Sequence, residues 1–114
     1  MDWNQRARMY MDWLQKEGYR PELDSDGDIK IRIEGRTYLI IHTDDEQYIQ
    51  IYFLGFWNIE SETELGNCML AAATVTRNIK VVKMAVLEDM ENMLAAAEIY
   101  VADPADFMVL FDRL

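Results

Sequence analysis

The chain has 114 residues, with 11 lysines and arginines against 21 aspartates and glutamates, a formal balance of −10, and 51% of its residues are hydrophobic. A chain of this length buries roughly 65% of the surface its unfolded form exposes, enough for one globular domain over residues 1–114 without disulfides or a structural metal. The acidity argues against nucleic acid or an anionic membrane as the main partner, because phosphate binding runs on clusters of lysine and arginine.

The opening Met1-Asp2-Trp3-Asn4-Gln5-Arg6 is too polar for a signal peptide, and no window approaches the roughly 18 apolar residues of a membrane helix. The single Cys68 forms no internal disulfide, which suits a reducing compartment, so a cytoplasmic protein is expected.

From Asp2 to Gly18 the residues Trp3, Ala7, Tyr10 and Leu14 make one apolar stripe at helical spacing. Gly18 closes that helix and Pro21 prevents its continuation. Trp13 and Met9 lie on another flank, where partial exposure is expected. The turn Asp24-Ser25-Asp26-Gly27-Asp28 leads into Ile29, Ile31 and Ile33 alternating with Lys30, Arg32 and Glu34, a strand with one wet face. After the tight connection Glu34-Gly35-Arg36, residues 36–43 and 47–54 read as two further strands around the acidic turn Thr43-Asp44-Asp45-Glu46.

Ser61 begins a capping box with Glu64, opening a helix that runs to about Ile79 with Leu65, Cys68, Met69, Ala72, Thr76 and Ile79 along one face. Residues 80–87 and 92–101 form a hairpin around Glu88-Asp89-Met90-Glu91. Asp103-Pro104 opens a last helix through Phe107, Leu110, Phe111 and Leu114. The predicted order is α-β-β-β-α-β-β-α, an α+β fold with a five-stranded antiparallel sheet and helices mainly on one face.

The middle strands carry apolar residues on both sides. Thr37, Leu39 and Ile41 point one way, and Tyr38, Ile40 and His42 the other; Ile49, Ile51 and Phe53 are opposed by Tyr48, Tyr52 and Leu54. With the helices on one face, a patch of Tyr38, Ile40, Tyr48 and Tyr52 is left as a candidate partner or dimer surface, unless the last helix folds back over it. Phe56 and Trp57, in the dense aromatic segment 53–59, either wall a groove or plug the end of the core. Together with Trp13 they complete the candidate partner-binding set. Of the eight methionines, Met69, Met84 and Met108 fall at core positions, and Met9, Met11, Met90 and Met93 are candidates for the surface.

No catalytic constellation is expected. Asp24, Asp26 and Asp28 resemble the start of a calcium loop, but the glycine and the distant glutamate that such a loop needs are displaced, so a solvated turn is the expectation. His42 is the single histidine and Cys68 turns into the core, which leaves no metal site and no cysteine–histidine pair. Neither a nucleophile elbow nor a phosphate-cradling glycine loop is present.

The segments Gly18-Tyr19-Arg20-Pro21-Glu22-Leu23-Asp24, Asp26-Gly27-Asp28-Ile29, Glu34-Gly35-Arg36-Thr37-Tyr38 and Asn78-Ile79-Lys80-Val81-Val82-Lys83 resemble the bacterial YbjN-type proteins, a family labelled as sensory-transduction regulators. Its fold is similar to that of the class I chaperones of type III secretion. The resemblance spans nearly the whole chain and rests on structural turns. It implies a small non-enzymatic homodimer without a cofactor that holds a peptide or protein partner by strand addition and side-chain pockets. Compared with the secretion chaperones, the last helix is short. The alternative is a regulatory domain with a pocket near Tyr52, Phe56 and Trp57 for a small apolar molecule.

Overall fold

The computed structural model describes residues 1–111, without the side chains of residues 54–56 and 109–110. Its elements are α1 (Trp3–Lys16), β1 (Glu22–Leu23), β2 (Ile29–Ile33), β3 (Arg36–Ile40), β4 (Tyr48–Asn58), α2 (Glu62–Asn78), β5 (Val82–Val86), β6 (Asn92–Tyr100) and α3 (Asp106–Phe111). One six-stranded sheet has the order β1-β2-β3-β4-β6-β5. The chain packs as two units, Met1–Ile51 with the stretch from Glu98 onward, and Tyr52–Ala97; β4 and β6 each begin in one unit and end in the other.

In the first unit Asp2 caps α1, accepting the Gln5 N–H at 2.8 Å while the Gln5 side chain accepts the Asp2 N–H at 3.0 Å. The expected stripe of Trp3, Ala7, Tyr10 and Leu14 is buried, and Gly18 at φ +95° ends the helical path, a conformation that costs a residue with a Cβ. The strand missing from the sequence reading is β1. Asp24 Oδ1 accepts the N–H groups of Asp26 and Asp28, and this side-chain turn brings Glu22 opposite Lys30 and Leu23 opposite Ile29. Two residues are too few to show a period.

Between β2 and β3, Glu34 and Gly35 both have positive φ, 52° and 79°, as a two-residue hairpin matched to right-handed strand twist requires. The register puts Ile40 opposite Ile29 and Tyr38 opposite Ile31. Paired residues share a face, so Tyr38 and Ile40 lie on the side that α1 covers. Ile40 is 2% exposed and belongs to the core with Ile29, Ile31, Ile49, Val101 and Phe107. Its expected place in a partner surface is therefore corrected. Alternation divides each strand into two sides, but only the pairing decides which sides join.

The last helix packs against α1 rather than over Tyr48. Phe107 lies 4.4 Å from Tyr10 and 6.1 Å from Trp13, and Phe111 lies 5.7 Å from Trp13, all between ring centroids. Trp13 is half-buried in this aromatic group, the partial exposure expected of its flank, and it lines an open groove with Met9 and Met108. Asp103 and Pro104 start the turn that feeds α3, with Asp103 Oδ1 accepting the Ala105 N–H at 2.9 Å. The expected continuation to Leu114 lies outside the described residues.

The second unit has its own small core of Cys68, Ala72 and Met93, flanked by Ile59, Met84 and Val86. Ser61 caps α2 by accepting the Glu64 N–H at 3.1 Å, but the return half of the capping box does not form, since the Glu64 carboxylate accepts the Trp57 indole N–H instead. Only a narrow strip of α2 faces inward. Met69 and Ile79, expected in the core, are 45% and 52% exposed, whereas Met93, expected outside, is 3% exposed. The reason is geometric: α2 lies against the five-residue β5, which offers too little surface to cover a broad stripe.

Candidate functional site

The described residues bring together no catalytic group. Asp24, Asp26 and Asp28 do converge, with one carboxylate oxygen from each within 4.8 Å of the others. Two of the three carboxylates are employed in folding: Asp24 Oδ1 holds the turn, and Asp28 Oδ1 accepts the His42 N–H at 2.7 Å. His42 is exposed, edge-on to Trp3 at 5.5 Å and 3.9 Å from Asp44. Cys68 is buried as a free thiol.

The expected partner surface divides. Tyr38 and Ile40 belong to the core-facing side, as above. Tyr48 alternates with buried Ile49 and so points away from that core. Its hydroxyl donates to Glu98 Oε2 at 2.8 Å, and its ring stacks on Tyr100 at 4.8 Å and 30°. Tyr100, absent from the sequence-based set, is 72% exposed. The signal was there, because Glu98 and Tyr100 flank the apolar Ile99 on β6 and Val101 follows directly, but it gains meaning only once β6 lies beside β4.

In the second unit Tyr52 is half-buried and Trp57 is 53% exposed, its N–H held by Glu64. The Phe56 side chain lies outside the described residues. Sequence reasoning missed the outer face of α2. Leu70 is 69% exposed and Met69 45%, followed by Ile79 and Val81 at 52% and 48%. Residues 65–87 contain Arg77, Lys80 and Lys83 and no acid, which leaves the other residues with a balance of −13. Exposed apolar side chains within an acid-free stretch of a chain this acidic are the feature of the second unit that most invites a partner. Strand addition at β5 is opposed at its centre, where Thr76 Oγ1 donates to the Met84 carbonyl and accepts the Met84 N–H at 3.1 and 2.9 Å.

A buried charge occupies the first unit. Arg6, in the turn between Trp3 and Tyr10, is 1% exposed. Its guanidinium donates to the carbonyls of Thr43 at 2.6 Å and Asp45 at 3.3 Å, and lies 5.4 Å from the Trp3 ring centre. Burial raises the Tyr10 hydroxyl above its ordinary 10.0; the charge of Arg6 and its hydrogen bond pull the other way without prevailing, and Asp103 and Glu46 add to the rise. The folded chain thus holds the Tyr10 proton more tightly than the unfolded chain does. The stabilisation is complete below pH 10 and is lost as pH rises beyond that value through the folded-state pKa. Thermal melts in alkaline buffers are expected to show this loss, and Tyr10→Phe is expected to make the profile shallower. Identical alkaline profiles for the two proteins would refute the assignment.

No family model and no curated protein matches the chain. Among solved structures it is similar to the crystal structure of YbjN from E. coli, described as a candidate transcription regulator, with a TM-score of 0.69 at 10% identity, covering 94% of this chain and 81% of that one. The chain thus has the YbjN-like α+β fold, an antiparallel sheet with three helices.

Proposed function

We propose that the protein is a non-enzymatic binding module that works as a small dimer, and that the outer face of α2 is the contact between copies. The observation that supports this reading is the exposure of Leu70 and Met69 on α2, within residues 65–87, a stretch free of acids. Two copies at −10 each repel, so a contact is favoured where that repulsion is locally weakest. Along the outer side of α2 run Gly66, Leu70, Ala73 and Arg77, with Glu62 at its start. An antiparallel pair centred on Leu70 places Glu62 of each copy near Arg77 of the other. It also opposes the two helix dipoles favourably, and the small Gly66 and Ala73 permit close approach.

A binding role of this kind suits a regulator, the class to which YbjN is ascribed, acting through proteins rather than by direct contact with DNA. The order of elements that resembles the secretion chaperones favours the same reading, with a peptide or protein client. For a client, the stacked Tyr48 and Tyr100 supply an amphipathic surface. The alternative of an apolar pocket near Trp57 has less support, because that indole is tied to Glu64 and open to solvent. No described helix is long and apolar enough to cross a membrane, and a cytoplasmic site of action fits the single buried thiol.

Light scattering at micromolar concentration is expected to give a dimeric mass. Leu70→Glu, at a position already 69% exposed, is expected to give a monomer whose unfolding free energy differs by no more than about 0.5 kcal/mol once concentration is accounted for. A parent protein that is monomeric throughout, or a Leu70→Glu protein that remains dimeric, defeats the proposal.

A further inference from the structure

A cleft of about 430 Å³ in the first unit is lined by Gly18, Tyr19, Arg20, Glu22, Lys30 and Arg32. Three of the chain's 11 basic residues meet here with one acid, a local excess of two positive charges on a protein whose total is −10. Local folding explains the convergence. Gly18 turns the chain out of α1, the buried Pro21 directs it into β1, and Arg20 is left at the rim. Lys30 and Arg32 alternate with the buried Ile29 and Ile31 on β2 and therefore share the side away from the core.

These cations are only partly compensated. Lys30 Nζ lies 3.9 Å from Glu22 Oε2. Arg32 makes one long hydrogen bond, 3.5 Å to the Gly35 carbonyl, and Arg20 has no ion pair or hydrogen bond among the described residues. Tyr19 forms an aromatic wall, held edge-on to Phe111 with ring centres 5.6 Å apart. Two residues on one side of a strand are about 7 Å apart, a spacing that two adjacent anionic groups can bridge. Guanidinium forks suit phosphate oxygens, and the ammonium of Lys30 adds a point charge.

We infer that this cleft is a binding site for a diphosphate group, free or as the tail of a nucleotide. Glu22 works against the ligand, so the site is weak and selective: a single charge gains little, and a doubled anion engages the neighbouring Lys30 and Arg32 together, with Arg20 closing the same cleft. The site lies in the first unit and does not depend on the proposed contact through α2.

The test is titration of the full-length, isotope-labelled protein with inorganic pyrophosphate and, separately, with ADP, followed by amide NMR. Saturable shifts are expected in Gly18–Glu22 and Lys30–Arg32, weakening as salt is added. The double variant Arg20→Gln with Arg32→Gln is expected to bind at least about tenfold more weakly with an unchanged melting temperature, since both side chains are exposed. Glu22→Gln is expected to bind about threefold more tightly, a gain that a purely structural role for Glu22 does not produce. Tighter binding of ADP than of pyrophosphate assigns the Tyr19 wall to a nucleotide ring, and equal binding assigns the site to free diphosphate. Absence of saturable shifts with both probes, or shifts that survive the double variant, overturns the inference.

Discussion

Replacing Ile40 by lysine is expected to destabilise the protein by about 4 kcal/mol or more. Ile40 is 2% exposed, pairs with the fully buried Ile29, and packs in a cluster whose other buried members are Trp3, Ala7, Tyr10, Leu14, Ile31, Ile49, Val101 and Phe107. None of these can neutralise an ammonium, and removing the branched side chain also forfeits about 2 kcal/mol of apolar burial. Against a total stability of about 5–15 kcal/mol the loss is large. The control is on the same strand: Leu39 is half-buried on the opposite side and pairs with Lys30, so Leu39→Glu is expected to change stability by about 1 kcal/mol or less. Urea unfolding followed by circular dichroism measures both. An Ile40→Lys protein as stable as its parent would return Ile40 to the surface and undo the assigned register.

The second large effect concerns Arg6. Arg6→Met keeps much of the volume but removes both donors from the carbonyls of Thr43 and Asp45. An acceptor deprived of its partner costs about 1–3 kcal/mol. Two considerations reduce the sum. Asp45 is exposed, so water can replace the longer bond, and Arg6 Nε has no hydrogen-bond partner among the described residues, so its desolvation is relieved on substitution. The net expectation is a destabilisation of about 2 kcal/mol, with faster hydrogen exchange at Asp45, Gln47 and Tyr48, whose N–H groups are held within that turn. Arg6→Lys is expected to recover only part of the loss, because a single ammonium cannot fork to two carbonyls and stack on Trp3. A protein with Arg6→Met that is more stable than its parent would show that the buried charge is a burden and the turn is held by its own hydrogen bonds.

Both cases mark the boundary between what residues reveal and what packing adds. The stripe of α1, the alternation of β2 and the hairpin at Glu34-Gly35 are local, each set by a period or by the backbone demands of a few neighbours. They were readable, and so were the α+β class and the antiparallel sheet. Arg6 was hidden because an arginine among apolar residues ordinarily points to water; its partners are backbone carbonyls 37 and 39 positions away in sequence. Glu64 fitted a capping box until Trp57 competed for it. The basic cleft was equally invisible, because Arg20 and Lys30 lie on different segments that meet only through the short β1.

By itself the sequence determined the number and kind of the long elements, the excess of acid and the acid-free stretch of residues 65–87, because these depend on composition and near neighbours. Only the tertiary structure decided that Ile40 lies inside and Leu70 outside. Strand register and helix rotation arise from contacts between distant segments, and shifting a strand by one residue or turning a helix by 100° exchanges core for surface without altering any local preference.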